Sequence, residues 1–363
     1  MMKFHHLTTQ YAAGVDLHKS NLRICIMKLD GTIVYQSTIT RHKLKKLAKC
    51  LAPYGTDVTL GVESTYNWYW LLDWCREHGI PFVLGHAAYI KRKMIGKNKN
   101  DKIDAQGIAE LLRLNDFPYA ATCPVQYRAT RDLVRRRNAY VNMRTRLLLH
   151  MGCLEDQYLL DERHELLLNG PDKELYEDVW IMFDTDQEIA DTLHEHINKL
   201  EKRIVSQVQK HFKRQYLLLK DIGGVGTVIA STLLYEIYDI ARFKSVQSFS
   251  SYCRVVDPQC DSNGKRVGRG NAKNGSVWLC WALHMLVSTS CRYIPEVNTL
   301  YRRLKKKRGV HYAHRVLAHR WATTIYFMLK NNEPFSLELF LKKFGGSAAF
   351  REPSTRTGQA QVA

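Results

Sequence analysis

The amino-acid sequence predicts an α/β domain followed by a mainly helical chain. Three observations predict it. Short apolar stretches alternate with amphipathic ones through residues 1–124, the pattern of strands and helices that share one mixed sheet. Residues 125–216 carry long helical patterns with little Gly or Pro. Residues 217–345 open on two helical stretches around a glycine turn and remain mainly helical. The expected organisation is thus a sheet domain (1–124), a helical or coiled-coil arm (125–216), a C-terminal helical domain (217–345) and a disordered tail (346–363), whose end reads REPSTRTGQAQVA.

Along the chain, YAAGVDLH is a short apolar run that ends at Asp16. NLRICIMKLDGTIVYQSTIT is two strand-like stretches around Asp30-Gly31, a strong hairpin signal. RHKLKKLAKCLAPYG reads as a basic helix ending near Pro53. DVTLGVES alternates Val58, Leu60 and Val62 and ends at Glu63. NWYWLLDWCREHG is an amphipathic helix stopped by Gly79, and its Trp68, Trp70 and Trp74 read as core. IPFVLG is another strand, and a helix runs from about Asp101 to Leu114. In the arm, DTLHEHINKLEKRIVSQVQKHF has a near-heptad apolar stripe at Leu193, Ile197, Leu200, Ile204 and Val208. That stripe fits a coiled-coil or helical-hairpin arm and ordinary core packing equally.

Composition bounds the function. The chain has 363 residues, 45% hydrophobic, enough for two or three domains with real cores. No run of eighteen apolar residues suggests a membrane span, and the N-terminus lacks the apolar core of a signal peptide. The nine cysteines are scattered without a CxxC pair. They read as reduced core thiols of a cytoplasmic protein, with no zinc site. The formal charge is +19. Residues 151–200 hold fourteen Asp and Glu against three Lys and Arg, which leaves +30 on the rest of the chain. A surplus of this size, clustered as it is, points to nucleic acid through phosphate neutralisation. The clusters are an Arg-rich helix (Arg128, Arg131, Arg135, Arg136, Arg137, Arg144 and Arg146) and YRRLKKKRG, with Arg302, Arg303, Lys305, Lys306, Lys307 and Arg308. A solvated basic surface is the alternative.

Four acids stand out. Asp16 and Glu63 end strands, and Asp101 and Asp104 begin a helix. Residues three apart on a helix share a face, about 5–6 Å apart at Cβ. Carboxylates facing one crevice suit Mg²⁺, which prefers hard oxygen ligands, and two such ions about 3.5–4 Å apart clamp a phosphodiester. Singly, each acid has a structural reading, and Asp101 in particular suits a helix N-cap.

The pattern GVDLHK, then GVES, then KNDKIDA resembles the Asp-Glu-Asp-Asp signature of a ribonuclease-H-like, RuvC-like nuclease domain. It most resembles the bridge-RNA-guided insertion-sequence transposases, a family that includes the Piv-type DNA invertase. The resemblance covers residues 11–115 and 217–325, with the arm similar in type rather than by motif. It implies Asp16, Glu63, Asp101 and Asp104 as metal ligands for Mg²⁺, two ions, with Mn²⁺ as a substitute. It implies donor and target double-stranded DNA and a noncoding guide RNA as partners, a dimer or tetramer, no membrane, and a bacterial, nucleoid-associated location in the cytoplasm.

DIGGVGTVIASTLL resembles the helix–hairpin–helix turn of sequence-independent DNA binders, whose glycines let backbone N–H groups approach a phosphate. The family's later pattern is a tyrosine-containing helix, a Pro, Ser-Gly-Gly-Lys, and then Lys-x-Gly. This chain has Tyr252, Pro258, SNGK at 262–265 and KNG at 273–275. The family's nucleophilic serine therefore maps onto Ser262, with Asn263 in place of the usual Gly. Ser276, Ser250 and Ser251 are the competing positions. Lys265, Arg266, Arg269 and Lys273 stand near Ser262 as phosphate-binding candidates. The resulting expectation is a recombinase that cuts and rejoins DNA through a covalent serine link. The alternatives are a RuvC-like nuclease that uses water, a site-specific invertase without guide RNA, and an architectural nucleic-acid-binding protein.

Overall fold

A computed structural model of the chain describes residues 4–40, 43–94, 100–171, 173–256, 259–262, 265–269 and 274–345. The stretch read as a tail lies outside the described residues. The chain divides into two units, residues 1–123 and 124–363.

In the first unit the elements are β1 (Phe4–His5), β2 (Tyr11–Leu17), β3 (Asn21–Lys28), β4 (Ile33–Thr40), α1 (Leu44–Leu51), β5 (Val58–Glu63), α2 (Tyr69–Glu77), β6 (Phe82–Gly85), α3 (Ala87–Lys93), α4 (Asp101–Arg113) and β7 (Phe117–Pro118). Five strands form one mixed sheet in the order β4-β3-β2-β5-β6. The first three are an antiparallel meander, while β2–β5 and β5–β6 are parallel. Asp30-Gly31 makes the expected turn. Gly31 adopts φ +92°, and the Asp30 carboxylate accepts the Thr32 N–H at 2.8 Å. The pairing of β1 with β7 is a feature that the apolar pattern does not announce.

Alternation along the strands decides which helix covers which face. Ala13, Val15 and Leu17 of β2 and Leu60 and Val62 of β5 join Leu47, Leu51, Leu71, Leu72, Trp68 and Trp74 in one core under α1 and α2. The opposite face receives α4. Ala12 packs with Ile108, Leu111 and Leu112, and Cys25 and Met27 pack with Ala105 and Ala109. Gly14 and Gly61 are register partners at the centre of this face. A Cβ on Gly14 would overlap the Ala105 carbonyl oxygen and the Ala109 nitrogen, and one on Gly61 would overlap the Leu112 side chain. Two adjacent glycines therefore let the helix lie directly on the sheet backbone.

In the second unit the elements are α5 (Val125–Tyr158), α6 (Leu160–Asn169), α7 (Lys173–Lys220), α8 (Thr227–Ile237), α9 (Val246–Tyr252), β8 (Gln259–Ser262), β9 (Lys265–Arg269), α10 (Val277–Tyr293), α11 (Pro295–Arg308), α12 (Val310–Asn331) and α13 (Leu337–Gly345). Helices α5 and α7 lie side by side. Leu193, Ile197, Ile204 and Val208 of the heptad-like stripe are buried, and Ile204 and Val208 share a core with Val134 of α5. The helix is interrupted at Phe212, where φ is −139° and ψ 30°. That core continues through Leu233, Phe249, Leu283, Trp321 and Tyr326, joining α8, α9, α10 and α12. The acidic segment occupies the end of α5, α6 and the first part of α7, with Glu177, Asp178, Asp184, Glu188 and Asp191 exposed. Cys25, Cys50, Cys75, Cys123 and Cys253 are buried free thiols, but Cys153 is exposed on α5, contrary to its reading as a core residue.

Candidate active site

Parallel strands β2 and β5 are in register from Tyr11↔Val58 to Val15↔Val62. The next residues, Asp16 and Glu63, therefore stand side by side at the carboxyl edge of the sheet. Alternation puts Asp16 on the face of Gly14 and Glu63 on the face of Gly61, which is the face that α4 covers. The same edge is where open α/β sheets bind ligands.

The N-terminus of α4 arrives at this edge. Its cap is Asn100, whose Oδ1 accepts the Ile103 N–H at 2.9 Å. Asp101 is thus not the cap; it occupies the first helical position, with its carboxylate available to the site. His18, just beyond β2, joins the two elements. Its Nε2 lies 3.0 Å from Asp16 Oδ2 and 3.4 Å from Asp101 Oδ2. Asp16, His18 and Asp101 each offer a ligand atom within 4.8 Å of the others, and among the described residues that close group does not extend to Glu63 or Asp104. Sequence reasoning passed over His18, although its place two residues after Asp16 was the available signal for a shared side of the chain.

The electrostatics match a cation site. The Asp16 carboxyl is held above its ordinary range. Burial is the main cause; His18 opposes it, and the charges of Asp104 and Asp101 add to it. The site therefore concentrates like charge in a partly dehydrated place, and a hard divalent cation relieves that strain while matching the oxygen donors. The residues present fit such an ion.

The other predicted residues fall into three groups. Arg302, Arg303, Lys305 and Lys306 are exposed along α11, as are Lys307 and Arg308. On α5, Arg136 is exposed and lies over the Tyr140 ring at 5.9 Å, whereas Arg131 is half-buried. Arg135 binds Glu236 of α8 through two hydrogen bonds of 2.7 and 3.0 Å, Arg137 pairs with Glu201, and Arg128 is buried. Much of the arginine stripe thus faces protein. Ser262 ends β8 opposite Lys265, with Arg266 and Arg269 on β9. The side chains of these four residues, and all of Lys273, lie outside the described residues. Of the competing serines, Ser250 is fully buried, Ser276 caps α10 and hydrogen-bonds Glu236 at 3.1 Å, and Ser251 is exposed. The glycine turn joins α7 to α8, with Gly224 at φ +95°.

Two family models and two relatives match the chain. Residues 13–160 match a DEDD transposase family of the IS110 type, and residues 216–302 match the family described as transposase IS116/IS110/IS902. The transposase for insertion sequence element IS1111A of Coxiella burnetii (strain RSA 493 / Nine Mile phase I) is 23% identical over 343 residues, which cover 89% of this chain and 90% of that protein. The transposase for insertion sequence element IS1328 of Yersinia enterocolitica is 22% identical over 274 residues, 72% of this chain and 78% of its own. No helix among the described residues is long and apolar enough to cross a membrane. Both matched regions, together more than half of the sequence, lead to one statement: the chain is a transposase of the IS116/IS110/IS902 family.

Proposed function

We propose that this transposase works as an RNA-guided DNA recombinase that uses Asp16, Glu63, Asp101 and Asp104 to hold Mg²⁺ and Ser262 as its nucleophile. The observation that carries the reading is the meeting of Asp16 and Asp101 around His18 at the carboxyl edge of β2 and β5. When bound, two divalent ions would supply Lewis-acid stabilisation of the scissile phosphate. The carboxylates fix where that phosphate is presented.

The serine step balances without an outside energy source. The Ser262 oxygen forms a bond to phosphorus, the bridging P–O bond to the leaving strand breaks, and the leaving oxygen gains the proton that the serine gives up. A strand hydroxyl from the other DNA partner then attacks the phosphoserine and restores the serine. Burial of Ser250 and the capping role of Ser276 favour Ser262 over those two positions. Lys265, Arg266, Arg269 and Lys273 would bind the phosphate beside it. The exposed cations of α11, with Arg136 and Arg131 of α5, would bind donor and target DNA and the noncoding guide RNA. Base pairing would then select sequence while the protein holds backbone. The active form is a homo-oligomer, a dimer or tetramer, in the cytoplasm at the nucleoid.

The test is a trapping assay. Purified protein, co-expressed with the RNA from its element's flank, is mixed with end-labelled donor and target DNA and Mg²⁺, then quenched with denaturant. A protein–DNA adduct that is lost in Ser262→Ala establishes serine catalysis. Cleaved DNA without adduct in either protein means that water is the nucleophile and that Ser262 is structural. Recombination that persists without the RNA removes the guide from the reading.

A further inference from the structure

We propose that His18 is itself a ligand of the cation held by Asp16 and Asp101, which makes the centre a mixed nitrogen–oxygen site that favours Mn²⁺ over Mg²⁺. The inference rests on the reading of the carboxylates as a metal site.

The main chain at His18 is held from two directions. The His18 backbone N–H donates to the Asn21 carbonyl at 2.9 Å, and the His18 backbone carbonyl accepts from Asn67 Nδ2 at 2.9 Å. Asn67 Oδ1 is held in turn by the Thr65 hydroxyl at 2.8 Å. The turn between β2 and β3 and the loop that follows Glu63 therefore share one anchor, and that anchor is the residue facing both aspartates. Ligands about 2.1 Å from an octahedral cation lie about 3.0 Å apart when adjacent and about 4.2 Å when opposite. The separations of 3.0 and 3.4 Å from Nε2 to the two carboxylates fall on the adjacent edges of such a sphere.

The chemical consequence is selectivity. Carboxylate and water suit Mg²⁺, whereas imidazole raises affinity for transition metals. With Nε2 given to the metal, the ring proton sits on Nδ1. The competing account makes His18 an imidazolium counter-ion that a bound cation would displace.

The experiment uses the full chain and Mn²⁺ alone as probe, read by electron spin echo modulation on protein carrying ¹⁵N-histidine or ¹⁴N-histidine, beside Mn²⁺ and Mg²⁺ titrations. We expect a histidine nitrogen coupled to Mn²⁺ in the wild type and none in His18→Ala. Mn²⁺ affinity should fall about tenfold or more in His18→Ala, with Mg²⁺ affinity changed far less and both ions lost in Asp16→Asn. His18→Asp, which puts an oxygen donor in place of the nitrogen, should bind Mg²⁺ at least as well as the wild type without the nitrogen coupling, and circular dichroism checks that each variant is folded. Mn²⁺ bound in an Asp16-dependent way with no nitrogen coupling overturns the role of His18 and leaves the carboxylate site standing. Mn²⁺ bound equally well by Asp16→Asn overturns the carboxylate site and the inference with it.

Discussion

Gly14 of β2 and Ala105 of α4 meet backbone to backbone: the space for a Cβ on the glycine is already filled by the alanine's carbonyl oxygen. Asp101 lies four residues before Ala105, one helical turn, so the depth of this contact sets the distance between Asp101 and Asp16. Gly14→Ala should force α4 outward. Overpacking of this kind costs about 1–3 kcal/mol. We expect a lower unfolding midpoint in urea and weaker Mn²⁺ binding together; unchanged values for both would show that α4 is not seated on Gly14.

The raised Asp16 carboxyl predicts a stability that runs against activity. A folded value above the unfolded one means that the native chain keeps a proton over a range where the unfolded chain has lost it. Stability therefore falls as pH rises from the ordinary carboxylate value through the raised one, and the loss persists at neutral pH. In the absence of metal, Asp16→Asn should melt above the wild type at neutral pH, with a gain that shrinks as pH falls through the carboxylate range. Added Mn²⁺ should reverse the order, since only the wild type binds it. Thermal unfolding across pH, with and without the ion, reads both effects.

Glu236 is 3% exposed and ties α8 to α5 through Arg135 and to the start of α10 through Ser276. Breaking a buried pair from one side costs about 3–5 kcal/mol. Arg135 keeps 34% of its side chain exposed, so the loss in Arg135→Ala should fall below that range. Glu236→Ala should cost more than Glu236→Gln, which can still accept from Ser276. Denaturant titration of the three variants gives the order.

The cations of α11 should act through phosphate charge. Replacing Arg302, Arg303, Lys305 and Lys306 with Ala should weaken binding to unrelated duplexes by similar factors. Each lost contact should flatten the plot of log affinity against log salt by about 0.9. Arg137→Ala, which removes a partner of Glu201 rather than a free surface charge, should leave that slope unchanged.

The sheet was legible because its signals are local. Asp30-Gly31 could only be a tight turn, and the alternation of Val58, Leu60 and Val62 dictated one buried face. Helix α4 starts at Asp101, as its apolar spacing requires. What escaped depended on neighbours distant in sequence. Nothing in KNKND shows that Asn100 rather than Asp101 would be the cap, because that choice follows from the helix lying against Gly14 and Gly61. His18 gained its place from Asn67, far along the chain. The arginines of α5 looked equivalent in a list of charges, but Arg128 turned into the core and Arg135 toward Glu236 because of helices that come much later.

Before its interruption at Phe212, helix α7 puts Glu177, Asp178, Asp184, Glu188 and Asp191 in its first part and Lys202, Arg203 and Lys210 in its last. This unbroken stretch spans roughly 60 Å. A lever of that length with opposite signs at its ends experiences a torque near any polyanion. Such a torque would turn the acidic end outward and the basic end inward before a single specific contact forms. The arm is in this sense a compass needle, able to turn an approaching protein the right way round while it is still separated from the nucleic acid by several layers of water.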